Sequence, residues 1–256
     1  MPTAELPGIS MWYDERGQGD PCVLLHPGGA GVDSCALALT VDALSRVFHA
    51  YTPEQRAHGR TPDVDGPVSY ELMAQDTIMF IEGVIGQSAY WLGIIDGAVV
   101  AAMVARRRPD LVRRLVLVAG VFHHDGWEEG VLDGEPPEFP KQSYGEISPD
   151  GIGLYDVVVA KLAAMHGREP GLTRTDLHQI TPRTLVMVGE DDQVRLEQAI
   201  EMYRHLPDAE LAVVPGTSHG LLVEKPGLCH LIIAEFMTKD PVQTFTPIRR
   251  TASPAS

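Results

Sequence analysis

One short segment of this sequence has the glycine spacing of a strained turn but carries no nucleophile at its centre. Gly93-Ile94-Ile95-Asp96-Gly97 follows a predicted strand at Ala89 to Leu92. A sharp turn from a strand into a helix tolerates only small residues two positions before and after its centre, so the glycines place Ile95 there. Centring the turn on Asp96 would put Ile94 at a tight position, where it clashes. Because isoleucine cannot attack a carbonyl carbon, we expect no covalent acyl-enzyme intermediate.

Three further loops carry histidine, acidic or glycine residues, and each follows a predicted strand. They are His26-Pro27-Gly28-Gly29 after Cys22 to Leu25, Gly189-Glu190-Asp191-Asp192 after Thr184 to Val188, and Gly216-Thr217-Ser218-His219 after Leu211 to Val214. A histidine can act as a general base, and a carboxylate can orient it. These residue types therefore point to proton transfer.

The elements that must position these loops alternate between strands and helices. Leu115 to Ala119 and Thr184 to Val188 are continuous apolar runs, which are typical of strands covered on both faces. Tyr70 to Ile85 has apolar residues at helical spacing, and Ala98 to Arg107 is small and apolar, as a helix packed on a sheet should be. The pattern predicts an α/β protein with a mostly parallel central sheet and helices on both faces.

The alternation of strands and helices breaks once, and this divides the chain into three parts. Between residues 121 and 180, prolines and glycines surround a helical stretch at about Gly153 to His166. An insertion here emerges at the carboxyl end of a strand, where ligands bind, and we interpret it as a small lid. The core then comprises 1–120 and 181–238, and 239–256 is an extended tail packed on the surface or on a neighbouring subunit.

Taken in order, these landmarks resemble the α/β-hydrolase superfamily over the chain up to about residue 238. The loop at His26 is similar to the oxyanion loop, the Gly93 to Gly97 turn to the nucleophile elbow, and the last two loops to the acid and histidine loops. The segment Arg56-Ala57-His58-Gly59-Arg60-Thr61 also resembles a loop common in these proteins, with Ala57 where glycine is usual.

The resemblance implies a role for each of these landmarks. It assigns the catalytic histidine to His219 and its acid to Asp192, and the backbone N–H groups of Gly28 and Asp96 match the two oxyanion donors. Three alternatives stay open for the acid: Asp192 caps the helix predicted at Val194 to His205, or the acid is Asp191 or Asp125.

Several side chains are candidates for contact with a ligand. Ile95 forms the floor of the site, which we expect to be more apolar than in a serine hydrolase. His26 contacts a ligand or serves as a structural residue beside the loop. His123, His124 and Trp127 line the pocket mouth or anchor the lid. Adjacent histidines point to opposite sides of an extended chain, so we expect no metal site at His123 and His124.

Three functions fit these residues. The first is an enzyme that uses non-covalent acid–base chemistry on a small apolar metabolite, as a cyclase, isomerase or lyase, or as a hydrolase in which His219 activates water. The second is a catalytically inactive binding protein for a ligand or a partner. The third is a serine hydrolase whose nucleophile has been substituted.

Composition limits the partners. The formal net charge is −15, from 35 acidic and 20 basic residues, and it disfavours nucleic acid and anionic membranes. No Rossmann fingerprint or P-loop is present, so we infer no nucleotide cofactor, and three scattered cysteines support no disulfide framework. We expect a cytoplasmic protein with a small-molecule ligand, and we leave a homodimer open. The arginines from Arg106 to Arg114 are expected on a solvated face.

Overall fold

The computed structural model describes residues 2–132, 139–242 and 244–246. Eight strands form one sheet: β1 (Thr3–Leu6), β2 (Ile9–Arg16), β3 (Asp20–Leu25), β4 (Phe48–Pro53), β5 (Ala89–Ile94), β6 (Val112–Val118), β7 (Thr184–Asp191) and β8 (Ala209–Ser218). Their spatial order is β1-β2-β4-β3-β5-β6-β7-β8. β2 pairs antiparallel with both β1 and β4. In the rest of this spatial order, from β4 through β3 to β8, every neighbouring pair is parallel. The predicted α/β class with a mostly parallel sheet is confirmed.

The described helices are α1 (Ala38–Leu44), α2 (Tyr70–Phe80), α3 (Asp96–Arg107), α4 (Phe139–Ile147), α5 (Tyr155–His166), α6 (Arg174–Leu177), α7 (Leu196–His205), α8 (Leu221–Glu224) and α9 (Pro226–Thr238). A π-helical turn at Ile81–Ile85 extends α2. The elbow helix α3 begins at Asp96, two residues before the predicted start.

The buried side chains of β3 alternate between two hydrophobic clusters because neighbouring strand residues face opposite sides of the sheet. Val23 and Leu25 pack into one cluster, which includes residues of α2, α3 and α7. Cys22 and Leu24 pack into the other, with residues of α1, α8 and α9. Helices therefore cover both faces, and the strand ends remain as the place where loops can form a site.

The inserted segment after β6 is closed at its base by backbone hydrogen bonds between its two ends. The His124 N–H donates to the Pro170 carbonyl at 2.8 Å, and the Leu172 N–H donates to the Phe122 carbonyl at 3.0 Å. Between these ends lie α4 and α5, with a 3-10 turn at Ile152–Leu154. Two of the prolines that suggested the insertion, Pro136 and Pro137, lie outside the described residues, as does most of the predicted tail.

The arginines around the end of α3 pair with acidic side chains. The pairs are Arg106 with Asp176, Arg107 with Glu71, Arg108 with Glu82 and Asp110, Arg113 with Asp20, and Arg114 with Asp240. Their charges are thus largely neutralised on the surface.

None of the described helices has the length and apolar composition needed to cross a bilayer.

Candidate active site

The turn between β5 and α3 is strained and is centred on Ile95. This residue has φ 56° and ψ −113°, a left-handed backbone conformation that a β-branched side chain rarely adopts. A Cβ at Gly93 would overlap the Gly97 carbonyl, and a Cβ at Gly97 would overlap the carbonyls of Leu25 and His26. The prediction that the two glycines bracket Ile95 is confirmed by this backbone geometry.

We expect Gly97→Ala to lower the free energy of unfolding by about 1–3 kcal/mol, since the new methyl group meets backbone atoms of β3 that cannot move aside. Urea unfolding measures the change. Gly227→Ala is a matched control: Gly227 also lies in the first turn of a helix, but no atom lies within 4 Å of its added Cβ. The control should gain up to about 1 kcal/mol from helix propensity. Equal effects of the two changes would contradict the close approach at the elbow.

His219 and Asp192 form a hydrogen-bonded pair at the ends of β8 and β7. Nδ1 of His219 lies 2.7 Å from Oδ1 of Asp192, whose side chain is fully buried. The Asp192 carboxylate also accepts the backbone N–H groups of Gly189 at 2.9 Å and Val194 at 3.0 Å. Burial raises the pKa of Asp192, but the hydrogen bond from His219 and the two from the backbone outweigh it and hold the pKa below its usual range. The carboxylate is therefore ionised at neutral pH.

The alternatives to Asp192 have other positions. Asp191 is exposed at the end of β7, and Asp125 contacts His123 and Gln198. The N-cap of α7 is Arg195, so Asp192 does not cap that helix. The Trp127 and His219 rings make a T-shaped contact, with ring centroids 5.7 Å apart. His219 is thus oriented by Asp192 and packed against a lid residue.

A buried carboxylate, which the sequence analysis did not anticipate, lies beside the oxyanion loop. The Asp96 side chain accepts a hydrogen bond from the Tyr70 hydroxyl at 2.7 Å, and its Oδ2 lies 2.9 Å from Nε2 of His166. A Cβ at Gly28 would overlap this carboxylate, so the loop backbone lies directly against it. The expectation of an apolar floor is wrong on this side, because Ile95 is followed by a charge.

The charges in this cluster depend on one another. Burial raises the pKa of Asp96, but the hydrogen bond and charge of His166, together with the Tyr70 hydroxyl, outweigh it and leave the pKa lowered. Burial lowers the pKa of His166, but the Asp96 carboxylate more than offsets this and leaves the pKa raised. Burial and the Asp96 charge raise the pKa of Tyr70 well above its usual value. Asp96 is therefore anionic at neutral pH, and His166 holds its proton more tightly than an imidazole without this partner.

Two buried histidines hold the loop at His26 to Gly29. The His26 Nδ1–H donates to the Pro27 carbonyl at 2.7 Å, and its Nε2 accepts the Gln55 N–H at 3.0 Å. Both ring nitrogens are thus engaged, which favours the structural role. The Nε2 of His58 accepts the Gly29 N–H at 3.2 Å, and burial lowers the pKa of His58 to about 4. Ala57, beside it, has φ 62°, which explains why glycine suits this position.

The three lid candidates do not form one cluster. The rings of His123 and His124 stack with centroids 4.4 Å apart, so the expectation that they point to opposite sides is wrong. His123 itself is extended, but a 3-10 turn begins at His124, so the extended conformation does not continue through the pair. His123 lines a groove of about 330 Å³, whereas Trp127 contacts His219. In the described part of the chain, no group of three or more potential ligands could hold a metal ion.

Two residues of the cluster around Asp96, Tyr70 and His166, were not singled out in the sequence, and His58 was noted only as part of the loop at 56–61. They lie 26, 70 and 29 residues from their partners, and no local motif marks such contacts. Gly28, Ile95, His166 and His219 are each partly buried and keep some exposure to solvent.

This sheet order, elbow and set of loops define the α/β-hydrolase fold. No protein-family profile matches the chain. The chain is similar to a protein named serine hydrolase BPHL from Homo sapiens, with 27% identity over 236 residues that cover 84% of this chain and 78% of that protein.

Solved structures give the same result for the fold. A meta-cleavage product hydrolase from Pseudomonas fluorescens matches with a TM-score of 0.75 at 20% identity, covering 93% of this chain and 97% of that one. An enol-lactonase from Burkholderia xenovorans matches with a TM-score of 0.72 at 20% identity, covering 93% and 100%. The chain therefore has the α/β-hydrolase fold, as the resemblance in sequence indicated.

Proposed function

We propose that the protein is an enzyme that acts on a small, largely apolar metabolite by acid–base chemistry, without a covalent intermediate at position 95. The observation that carries this proposal is the His219–Asp192 hydrogen bond at 2.7 Å, in a chain whose turn between β5 and α3 bears isoleucine. The relatives named as hydrolases support an enzymatic role. Cyclisation, isomerisation, carbon–carbon cleavage, decarboxylation and hydrolysis all remain within this class.

The proposed mechanism uses His219 as the general base. The ionised Asp192 accepts the Nδ1–H, which leaves Nε2 as the basic nitrogen. Nε2 removes a proton from the metabolite or from water, and the imidazolium that forms is stabilised by Asp192. Negative charge that develops on a carbonyl or enolate oxygen is held by the N–H groups of Gly28 and Asp96 at the start of α3. The lid at 121–180 closes this site over the core of 1–120 and 181–238.

A second candidate is a binding protein without catalytic activity. The position of the Asp96 carboxylate against Gly28 favours it, because a fixed negative charge opposes an anionic oxygen at the same loop. If the protein is an enzyme, changing His219 should lower turnover. If it is a binding protein, changing His219 should have no effect, and changing Trp127 should weaken ligand binding. A third candidate, a serine hydrolase with a substituted nucleophile, is favoured by the name of the human relative.

Ile95→Ser tests whether the surrounding groups are aligned for chemistry at this turn. We expect the variant to be labelled at position 95 by a fluorophosphonate and to cleave simple esters, because His219 can then activate the hydroxyl. Wild type and Ile95→Ala should stay unlabelled at this position. Mass spectrometry of tryptic peptides locates the label. The alignment is refuted if Ile95→Ser with His219→Gln is labelled as fast as Ile95→Ser alone.

Native mass spectrometry of the purified protein tests the substrate class. We expect a small, largely apolar molecule to dissociate from the folded chain. Its mass identifies the compound, and turnover can then be measured on that compound.

A further inference from the structure

The proposed oxyanion site contains a charge of the wrong sign. The Asp96 carboxylate is buried and lies against Gly28, whose N–H is a proposed donor to an anionic oxygen. Two negative charges at this separation in a site shielded from water repel strongly, because little solvent lies between them. The N–H groups alone do not remove that repulsion. A nearby positive charge is required if the site is to hold an anion.

The lid helix α5 brings the group that can supply this charge. His166 is its last residue, and its Nε2 lies 2.9 Å from Oδ2 of Asp96. Its side chain is 23% exposed, whereas the Asp96 side chain is 6% exposed. His166 thus stands between the buried carboxylate and the solvent.

The other titratable groups around the pair cannot take this role. Tyr70 of α2 donates its hydroxyl to Asp96 and is neutral. His58 and His26 face Asp96 from the two loops on the other side, and burial lowers the pKa of both. Glu169, at the end of the lid segment, accepts the Tyr70 N–H and adds negative charge. Among the described residues that hydrogen-bond Asp96, His166 is the one that can become a cation.

We propose that His166 is a positioning residue whose imidazolium neutralises Asp96 and so allows the N–H groups of Gly28 and Asp96 to bind an anionic oxygen. This inference rests on the oxyanion site of the proposed function. It names the ligand class that the site accepts: a molecule that carries a carboxylate, or one that becomes an enolate. The neutralising charge comes from the lid and is present only where α5 lies over the elbow.

The pH dependence follows from the sign of the charge. His166 is protonated below its pKa, which the Asp96 carboxylate raises above the usual value. Anion affinity is therefore greatest below the pKa of His166. As the pH rises above that pKa, the affinity falls, by up to about tenfold for each pH unit where binding requires protonated His166.

The test measures binding of acetate and benzoate to the full chain by calorimetry between pH 5.5 and 9. Wild type should lose affinity as the pH rises, and His166→Gln should bind at least about tenfold more weakly at low pH with no pH dependence. Asp96→Asn removes the repelling charge, so it should bind at least as well as wild type at low pH and keep that affinity at high pH. Asp96→Asn with His166→Gln should recover the affinity lost in His166→Gln alone.

A purely structural contact between the lid and the elbow predicts a different pattern. Asp96→Asn would then weaken binding as much as His166→Gln, and the double variant would recover nothing; that result overturns the proposal. Absence of binding of both anions to wild type at every pH also overturns it. His178→Gln, an exposed histidine near the end of α6, is the matched control and should follow the wild-type profile.

Two further measurements separate this inference from the enzymatic proposal. The nuclear magnetic resonance titration of His166 should show a pKa that falls in Asp96→Asn, and no fall would contradict the charge pair. Binding that follows the expected pH profile in a protein without turnover would contradict the enzymatic proposal and support the charge pair.

Discussion

His219→Gln is expected to lower turnover by about 10²–10⁴-fold, the contribution typical of a positioned general base. Glutamine keeps a polar side chain of similar reach but cannot accept and release a proton near neutral pH. Because Asp192 retains its bonds from Gly189 and Val194, we expect the loop to keep its shape. The rate is measured on the metabolite that native mass spectrometry identifies, and urea unfolding checks the fold.

Two further variants, His178→Gln and Trp127→Ala, serve as comparisons for His219→Gln. His178→Gln should leave both turnover and unfolding as in wild type, since this histidine is exposed on the surface. Trp127→Ala should weaken binding more than the rate of the bound complex, because Trp127 packs against the His219 ring but carries no proton-transfer group. Unchanged turnover in His219→Gln, with binding lost in Trp127→Ala, would favour the binding protein instead.

The central sheet was predictable from sequence because its parallel strands are buried on both faces. β6 and β7 consist of apolar runs with few polar interruptions, and each is followed by a loop of chemically distinctive residues. β1 was missed because it has four residues, pairs along one side only, and has a single buried side chain. Helix α4 was missed because prolines precede it and no strong apolar face marks it.

At the site, the sequence predicted what depends on local geometry. The glycine spacing around Ile95 follows from the steric limits of one turn, so it can be recognised within five residues. The contact of His166 with Asp96 depends on how the lid folds back over the elbow, and this is decided by packing across 70 residues. The sequence therefore indicates that Asp96 is not the centre of the turn, but nothing near it in the sequence indicates a buried charge paired with His166.

A buried ion pair anchors the loop that holds Gly29 of the proposed oxyanion site. Arg56 donates two hydrogen bonds to Asp76 of α2, at 2.8 and 2.9 Å, and both side chains are largely buried. The Arg56 carbonyl accepts the Nδ1–H of His58, whose other nitrogen holds Gly29. Burial raises the pKa of Asp76 by more than the guanidinium lowers it. The pair thus contributes little net stability, but either partner alone would be a buried, uncompensated charge.

Asp76→Ala should therefore lower the free energy of unfolding by about 3–5 kcal/mol, because it leaves the Arg56 guanidinium unpaired in the interior. Urea unfolding measures the loss. Asp20→Ala breaks the exposed pair with Arg113 and is the matched control, with an expected change of at most about 1 kcal/mol. Replacing both buried partners, as Arg56→Met with Asp76→Leu, should recover most of the loss, since an apolar pair needs no compensating charge. If the double variant is no more stable than Asp76→Ala, the cost lies in the shape of the loop and the charge argument is wrong.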